Sequence, residues 1–529
     1  MISKLKTAIR LHQILTLIIA SFLVLVHVRL YQYAFDDAFI HFRVARNLFE
    51  TGQPYFNPGN LLKVSTSSGW IVFLTVLFGM ANLFGTENNF PLLVSIVNAF
   101  ILLGGLIVYT NIVETLLKRG LPTFERILFQ ITFLAILLPS SIGLMETPLA
   151  LLVAGLGIRM LLRSKPAGFA LLGFSIYLRL ELILLLALIG LFVLVQKQFR
   201  VGQIIAYSAL GAFPLFFYDL YYFHTFVPHA IVAKSNVYSI TTLDALIQLF
   251  NALPITLDHN KPIYLVISSI TLLSIVLLTS WVAFRERKIL KSFWPLLFCL
   301  LGLAVIAGYI FGHALVFDWY APLFMLPILL ACCVCSFLIE PPRNIIVKLP
   351  LFFLFCLSVL VIGGTFYASF YDPATFILFE GGSRVKRYLQ VGRILNEEYP
   401  KASLLSSEIG ALGYSFKGEI LDAVGLASSG ALDYHPMKVP DERTSGLLGA
   451  IPPAYVRSIM PDIIVSYDLF AQALLNDDIV DRYNAIVIPA YLPEDEIYSA
   501  SKTIWGSRYI RVYIRKTLPV SDRIYALTK

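Results

Sequence analysis

Apolar residues run in blocks of about twenty, from Leu11 to about Phe370, and a block of that length crosses a bilayer as one helix. The pattern predicts spans near 11–31, 90–116, 127–140, 146–163, 166–180, 182–197, 202–222, 263–284, 293–313, 318–339 and 348–370. Basic residues punctuate them at Lys118, Arg119 and Arg126, at Arg159, Arg163 and Lys165, and at Lys197 and Arg200. Arg285, Arg287, Lys288 and Lys291 follow, then Arg343 and Lys348. The positive-inside rule assigns these short loops and the N-terminus to the cytoplasm, so eleven spans place the tail outside.

One more apolar block, 69–84, does not fit that count. If it crossed, the basic loop at 118–126 would fall outside and every later loop would invert. It is therefore expected to lie on the outer interface as a juxtamembrane helix opened by the cap residues Ser65-Thr66-Ser67-Ser68. The segment before it is amphipathic, with Phe35, Phe39, Phe42, Ala45 and Phe49 on one stripe and Asp36, Arg43, Asn47 and Glu50 on another. Loop 35–90 then consists of two surface helices.

Beyond Tyr371 the texture changes. Residues 1–370 hold 24 Lys+Arg and 14 Asp+Glu, whereas 371–529 hold 17 and 19. Short apolar stretches at 402–406, 462–466 and 485–489 read as strands with helical segments between them. The expected architecture is an α-helical polytopic membrane domain of about eleven spans, residues 1–370, followed by an extracytoplasmic soluble α/β domain, residues 371–529.

Composition agrees. Of 529 residues 58% are hydrophobic and 14% charged, against about 25% charged in soluble domains, and the mean hydropathy is +0.77. The net charge of +8 belongs to the membrane part and serves topology. No basic cluster with interleaved aromatics is present, which argues against a nucleic-acid partner. The five cysteines, Cys299, Cys332, Cys333, Cys335 and Cys356, sit in apolar runs without metal-ligand spacing, so neither metal nor cofactor is expected. Lys4, Lys6 and Arg10 precede the first apolar run, which has no small-residue cleavage site and reads as a retained span.

With this parity the remaining polar clusters fall on one face of the membrane. They are Asp36-Asp37 with His41 and Arg43, the turn at Glu146, Arg179 with Glu181, His229 through Lys234, and His313 through Asp318, Trp319 and Tyr320. Such a gathering predicts an outward-facing site. Each member also has a plainer reading. The Asp pair suits a helix start through its dipole, Arg43 and Arg46 suit snorkelling cations, and Arg179 can pair with Glu181. Glu146 can cap a helix, and Trp319 and Tyr320 can belong to an interfacial aromatic belt. Lys234 has no evident acidic neighbour in the sequence.

The run D-D-A-F-I-H-F-R-V-A-R-N-L-F-E-T-G-Q-P-Y-F-N-P-G, Asp36 to Gly59, resembles the first outer loop of bacterial GT-C glycosyltransferases. The nearest branch is similar to mycobacterial terminal arabinofuranosyltransferases. The likeness continues at Gly143-Leu144-Met145-Glu146-Thr147-Pro148, Pro228 to Lys234, Asp318-Trp319-Tyr320, Gly410 to Tyr414 and Leu421 to Leu426. The chain departs from the family's T-R-P-E at Leu178-Arg179-Leu180-Glu181 and from its P-N-T at Pro228-His229-Ala230. The resemblance implies transfer of a sugar, pentose or hexose, from a polyprenyl-phosphate donor to a glycan, lipid or protein acceptor outside the cytoplasmic membrane, without a metal.

It places the general base in the Asp pair, with Asp36 favoured and Asp37 tuning it or orienting the acceptor. Lys234, Arg43 and Arg179 are the candidate donor-phosphate ligands. His41, Glu146, Glu181, His229, His313, Asp318, Trp319 and Tyr320 are candidate substrate contacts. A transporter or flippase of lipid-linked sugars is the rival class. It would place ionisable residues mid-span or break paired helices at the midplane, whereas here the charges sit at span ends.

Overall fold

The computed structural model describes residues 2–237, 240–254, 262–285, 294–338, 345–371, 377–437, 450–496 and 507–528. The chain opens with α1 (Ile2–Leu30), a short 3-10 turn, α2 (Asp36–Thr51) and α3 (Ser68–Leu83). Next come α4 (Phe90–Leu117), α5 (Thr123–Ile142), α6 (Thr147–Leu162), α7 (Gly168–Ser175), α8 (Leu182–Val195) and α9 (Val201–Phe223). A short α10 (His229–Val237) leads to helices Thr242–Asn251, Pro262–Arg285, Trp294–Phe311, Pro322–Leu338 and Ile345–Tyr371.

Every expected span coincides with a helix. Among the described residues six helices are long and apolar enough to cross a bilayer, and five more are apolar but shorter. The span expected at 166–180 is cut short. There α7 has eight residues, about 12 Å of helix, before the chain turns towards Arg179. Arg287, Lys288, Lys291 and Arg343, assigned to cytoplasmic loops, lie outside the described residues.

Two carboxylates open α2, where the helix dipole favours them, and Gly52 closes it at φ 74° with its N–H on the Leu48 carbonyl. Its apolar stripe packs as expected: the Phe42 ring meets Phe90 at 5.2 Å and Phe49 meets Phe78 at 5.7 Å. Its polar stripe differs from expectation, because Asp36 and Arg43 are buried beneath the C-terminal domain. The expected serine cap of α3 is also absent, since Ser67 makes no side-chain cap bond. Ser68 Oγ instead donates to Asp219 of α9 at 2.5 Å, and Ser65 Oγ accepts the Ser67 N–H at 3.0 Å. The same Asp219 takes buried Lys63 at 2.5 Å, so these residues staple the loop to α9.

In the tail, helix Ile377–Glu398 precedes a five-stranded sheet of order β2-β1-β3-β5-β4. Its strands are β1 (Ser403–Ser406), β2 (Glu419–Asp422), β3 (Ile463–Tyr467), β4 (Tyr483–Pro489) and β5 (Tyr509–Arg515). β1 runs parallel to β2 and β3, while β5 is antiparallel to β3 and β4. The expected strands correspond to β1, β3 and β4.

This domain docks on α2 through helix Gly410–Ser415. A Cβ at position 410 would run into the Asp36 carbonyl, so only glycine allows that approach. Gly410→Ala is expected to weaken docking by about 1–3 kcal/mol, the usual cost of overpacking. Faster amide exchange over 410–418 would register it.

Candidate active site

A cavity of about 560 Å³ opens where α2, segment 64–66, the α5–α6 turn, the α7–α8 turn, α10 and the turn at Trp319 and Tyr320 meet. Asp37, His41, Glu146, Arg179, Lys234, Trp319 and Tyr320 line it together with Ser65, Thr66, Met145 and Leu426. Several polar clusters far apart in sequence therefore meet on one cavity. A second cavity of about 410 Å³ is almost wholly apolar, walled by Leu151, Leu185, Phe298, Leu301 and others, with Glu181 on its rim.

Arg179 is the hub of the charges. Its Nη1 donates to Glu146 Oε1 at 2.7 Å, its Nη2 to Glu181 Oε1 at 2.7 Å and its Nε to Glu181 Oε2 at 3.2 Å. The Tyr309 hydroxyl adds a bond to Glu181 Oε1 at 2.8 Å, and the guanidinium lies 4.3 Å from the Tyr320 ring centroid. The pairing of Arg179 with Glu181 and a place in the site thus hold together. Such a buried network persists only when its members satisfy one another.

Lys234 finds the acidic neighbour that its sequence context lacked. Its ammonium is 3.6 Å from Asp37 Oδ2 and 5.0 Å from the Phe317 ring centroid. A half-buried carboxylate and a cation therefore stand side by side on the cavity wall.

Asp36 points elsewhere. Its Oδ2 and Oδ1 accept the backbone N–H groups of Gly410 and Ala411, each at 2.9 Å. Burial raises its pKa, opposed by the nearby charge of Arg384 and by those two N–H groups. Arg43 is also removed from the cavity, which corrects its expected phosphate role. It donates to the carbonyls of Phe56 (2.7 Å), Phe416 (2.7 Å), Gly418 (2.8 Å) and Gly413, and to Asn57 Oδ1 at 3.3 Å. Those bonds occupy all five guanidinium N–H groups. Burial lowers the Arg43 pKa to about 9, so it stays charged at neutral pH.

His229, His313 and Asp318 are peripheral, outside the cavity lining. His229 pairs through Nε2 with the Gly425 carbonyl at 2.9 Å, tying α10 to the tail. His313 is exposed, with Nδ1 3.1 Å from the Ile240 carbonyl. Asp318 is half-buried outside the lining. The Trp319 ring stacks on Phe317 at 4.7 Å and leans on Phe35 at 4.7 Å, so its faces are already packed.

Sequence reasoning missed Ser65 and Thr66 as lining, Tyr309 and Leu426. Leu426 was visible only as part of the Leu421 to Leu426 motif. Asp422 cradles that loop, accepting the N–H groups of Val424 at 2.8 Å and Ala427 at 2.9 Å. Among the described residues no group of three or more His, Cys, Asp or Glu is placed to hold a metal ion.

These features describe an α-helical polytopic membrane protein whose loop helices and small mixed-sheet domain close over one charged cavity. The fold is similar to that of ArnT from Cupriavidus metallidurans, whose crystal structure is of the protein bound to undecaprenyl phosphate. That likeness covers 96% of this chain and 99% of that one, with a TM-score of 0.55 and 11% identity. A family model described as a domain of unknown function (DUF8728) matches residues 379–517. No curated protein matches the chain.

Proposed function

We propose that the protein is a membrane glycosyltransferase that moves a sugar from a polyprenyl-phosphate donor to an envelope acceptor on the outer face of the cytoplasmic membrane. The observation that carries this reading is the cavity itself. It sets the Asp37 carboxylate beside Lys234 and Arg179, in a fold whose solved relative was crystallised with undecaprenyl phosphate. Asp37 takes the proton of the acceptor hydroxyl as its oxygen attacks the anomeric carbon. The bond from that carbon to the phosphate oxygen breaks, and polyprenyl phosphate departs with its charge met by Lys234 and Arg179. The motif likeness to terminal arabinofuranosyltransferases makes a pentose the first sugar to try. Comparing envelope glycans by mass spectrometry with and without the gene tests the reading, and an unchanged glycan profile would count against it.

Lys234→Gln is expected to lower turnover about 10²-fold, as loss of one preorganised charge-stabilising group does. Donor affinity should weaken much less, because the charge grows towards the transition state. Lys234→Arg should recover part of the loss. Unchanged turnover in Lys234→Gln would remove the ammonium from the mechanism.

Orientation has its own check. Single cysteines at the exposed positions Thr86 and Lys417 should react with an impermeant thiol reagent applied from outside, and one at exposed Thr123 should not. Labelling of Thr86 only after permeabilisation would mean that α3 crosses the membrane.

A further inference from the structure

Two buried polar atoms on the cavity wall have no hydrogen-bond partner among the described residues: Nδ1 of His41 and Oε2 of Glu146. His41 is 7% exposed and Glu146 is 1% exposed. A buried polar atom left unpaired is costly and rare, so two on one cavity mark a place where a ligand supplies the partners. Neither atom is loosely held. Glu146 is fixed through its other oxygen by Arg179 at 2.7 Å, and His41 stands one helical turn after Asp37 on α2.

We infer that His41 and Glu146 form the subsite that reads the donor sugar, through hydrogen bonds to hydroxyl groups of a sugar without an acidic group. This rests on the donor reading proposed above. A hydroxyl is the group that suits both atoms, because it donates to a carboxylate oxygen and either donates to or accepts from a neutral imidazole nitrogen. Burial keeps the His41 pKa below its ordinary value, against the opposing pull of Glu146 and Asp37, so the ring is neutral near pH 7. A uronate carboxylate would meet the lone pairs of Glu146 Oε2. An ammonium on the sugar would meet the carboxylates Asp37 and Glu146 as well as the cations Arg179 and Lys234, so the wall excludes an acidic sugar and not a basic one. A neutral sugar meets no such obstacle.

The test is a binding series on the full-length protein in lipid nanodiscs. The probes are polyprenyl phosphate alone and the same lipid carrying arabinose, mannose, glucose, glucuronate or glucosamine. At least one neutral-sugar donor should bind about tenfold tighter than bare polyprenyl phosphate, since a site built for hydroxyl groups rejects ligands without them. The glucuronate donor should gain nothing. Deoxy versions of the preferred donor should lose about tenfold at the hydroxyls that are read. His41→Phe and Glu146→Gln should each bring the ratio of sugar-bearing to bare lipid below about threefold.

The inference is overturned if the glucuronate donor is preferred, if no neutral sugar improves on the bare lipid, if every deoxy donor matches its parent, or if both variants keep the ratio. A variant that misfolds loses bare polyprenyl phosphate as well, and the deoxy series on the unaltered protein then decides. Failure of the donor reading itself looks different: the unaltered protein would bind none of these lipids, bare polyprenyl phosphate included.

Discussion

Asp37→Asn is expected to reduce turnover by about 10²–10⁴-fold, the usual contribution of a positioned general base, while leaving thermal stability and tail packing intact. The amide keeps the size of the side chain and still accepts a hydrogen bond, but it does not take up the acceptor's proton. Asp37 is half-buried on the cavity wall, so little packing depends on its charge. Asp36→Asn should behave differently. Its two oxygens each hold a backbone N–H of the tail, and an amide nitrogen would present a donor to one of those donors. That mismatch leaves a buried N–H unpaired, at a cost of about 1–3 kcal/mol. Asp36→Asn should therefore lower the melting temperature and speed amide exchange at Gly410 and Ala411, with activity falling as a consequence. If Asp36→Asn abolishes transfer at unchanged stability while Asp37→Asn stays active, the base is Asp36.

The second large effect is structural. Arg43→Met should destabilise the protein by about 3 kcal/mol or more, because it strands several buried carbonyls worth about 1–3 kcal/mol apiece. The acceptors at Gly413, Phe416 and Gly418 belong to the tail and the one at Phe56 to the loop after α2, so the variant should loosen the tail from the membrane part. Limited proteolysis would release a tail fragment early. A variant as resistant as the parent would show that water replaces the guanidinium at no cost, and that other contacts hold the domain. Among these are Tyr33 to Asp495 at 3.0 Å and Lys386 to Tyr33 at 3.2 Å.

What the chain reveals unaided follows from the range of the forces involved. The helices of the membrane part were legible because a bilayer imposes about twenty apolar residues per crossing, and that signal is local. The convergence of Glu146, Arg179, Lys234 and Tyr320 was legible for a related reason: charge parity put them on one face before any contact was known. The roles of Asp36 and Arg43 were hidden, since their partners are backbone groups of the tail, from Gly410 to Gly418. Backbone acceptors carry no side-chain signature.

The same blindness made Lys234 look unpaired, because Asp37 reaches it only once α10 lies over α2. The strands β2 and β5 escaped for different reasons. β2 is four residues long, and β5 carries Arg511 and Arg515 among its apolar residues. The short α7 was unforeseen because 166–178 is almost wholly apolar, and the turn that brings Arg179 to Glu146 at 2.7 Å leaves no local mark.

The central claim is that this cavity transfers a sugar from a lipid phosphate with Asp37 as base. The most direct measurement supplies the purified protein in nanodiscs with polyprenyl phosphate carrying a radiolabelled pentose or hexose, together with envelope acceptor extracted from cells lacking the gene. The account predicts that label moves to the acceptor while bare polyprenyl phosphate accumulates in equal amount, and that Asp37→Asn stops both. A protein that carries the intact lipid-linked sugar across a bilayer, yet releases no polyprenyl phosphate from any donor, would contradict it.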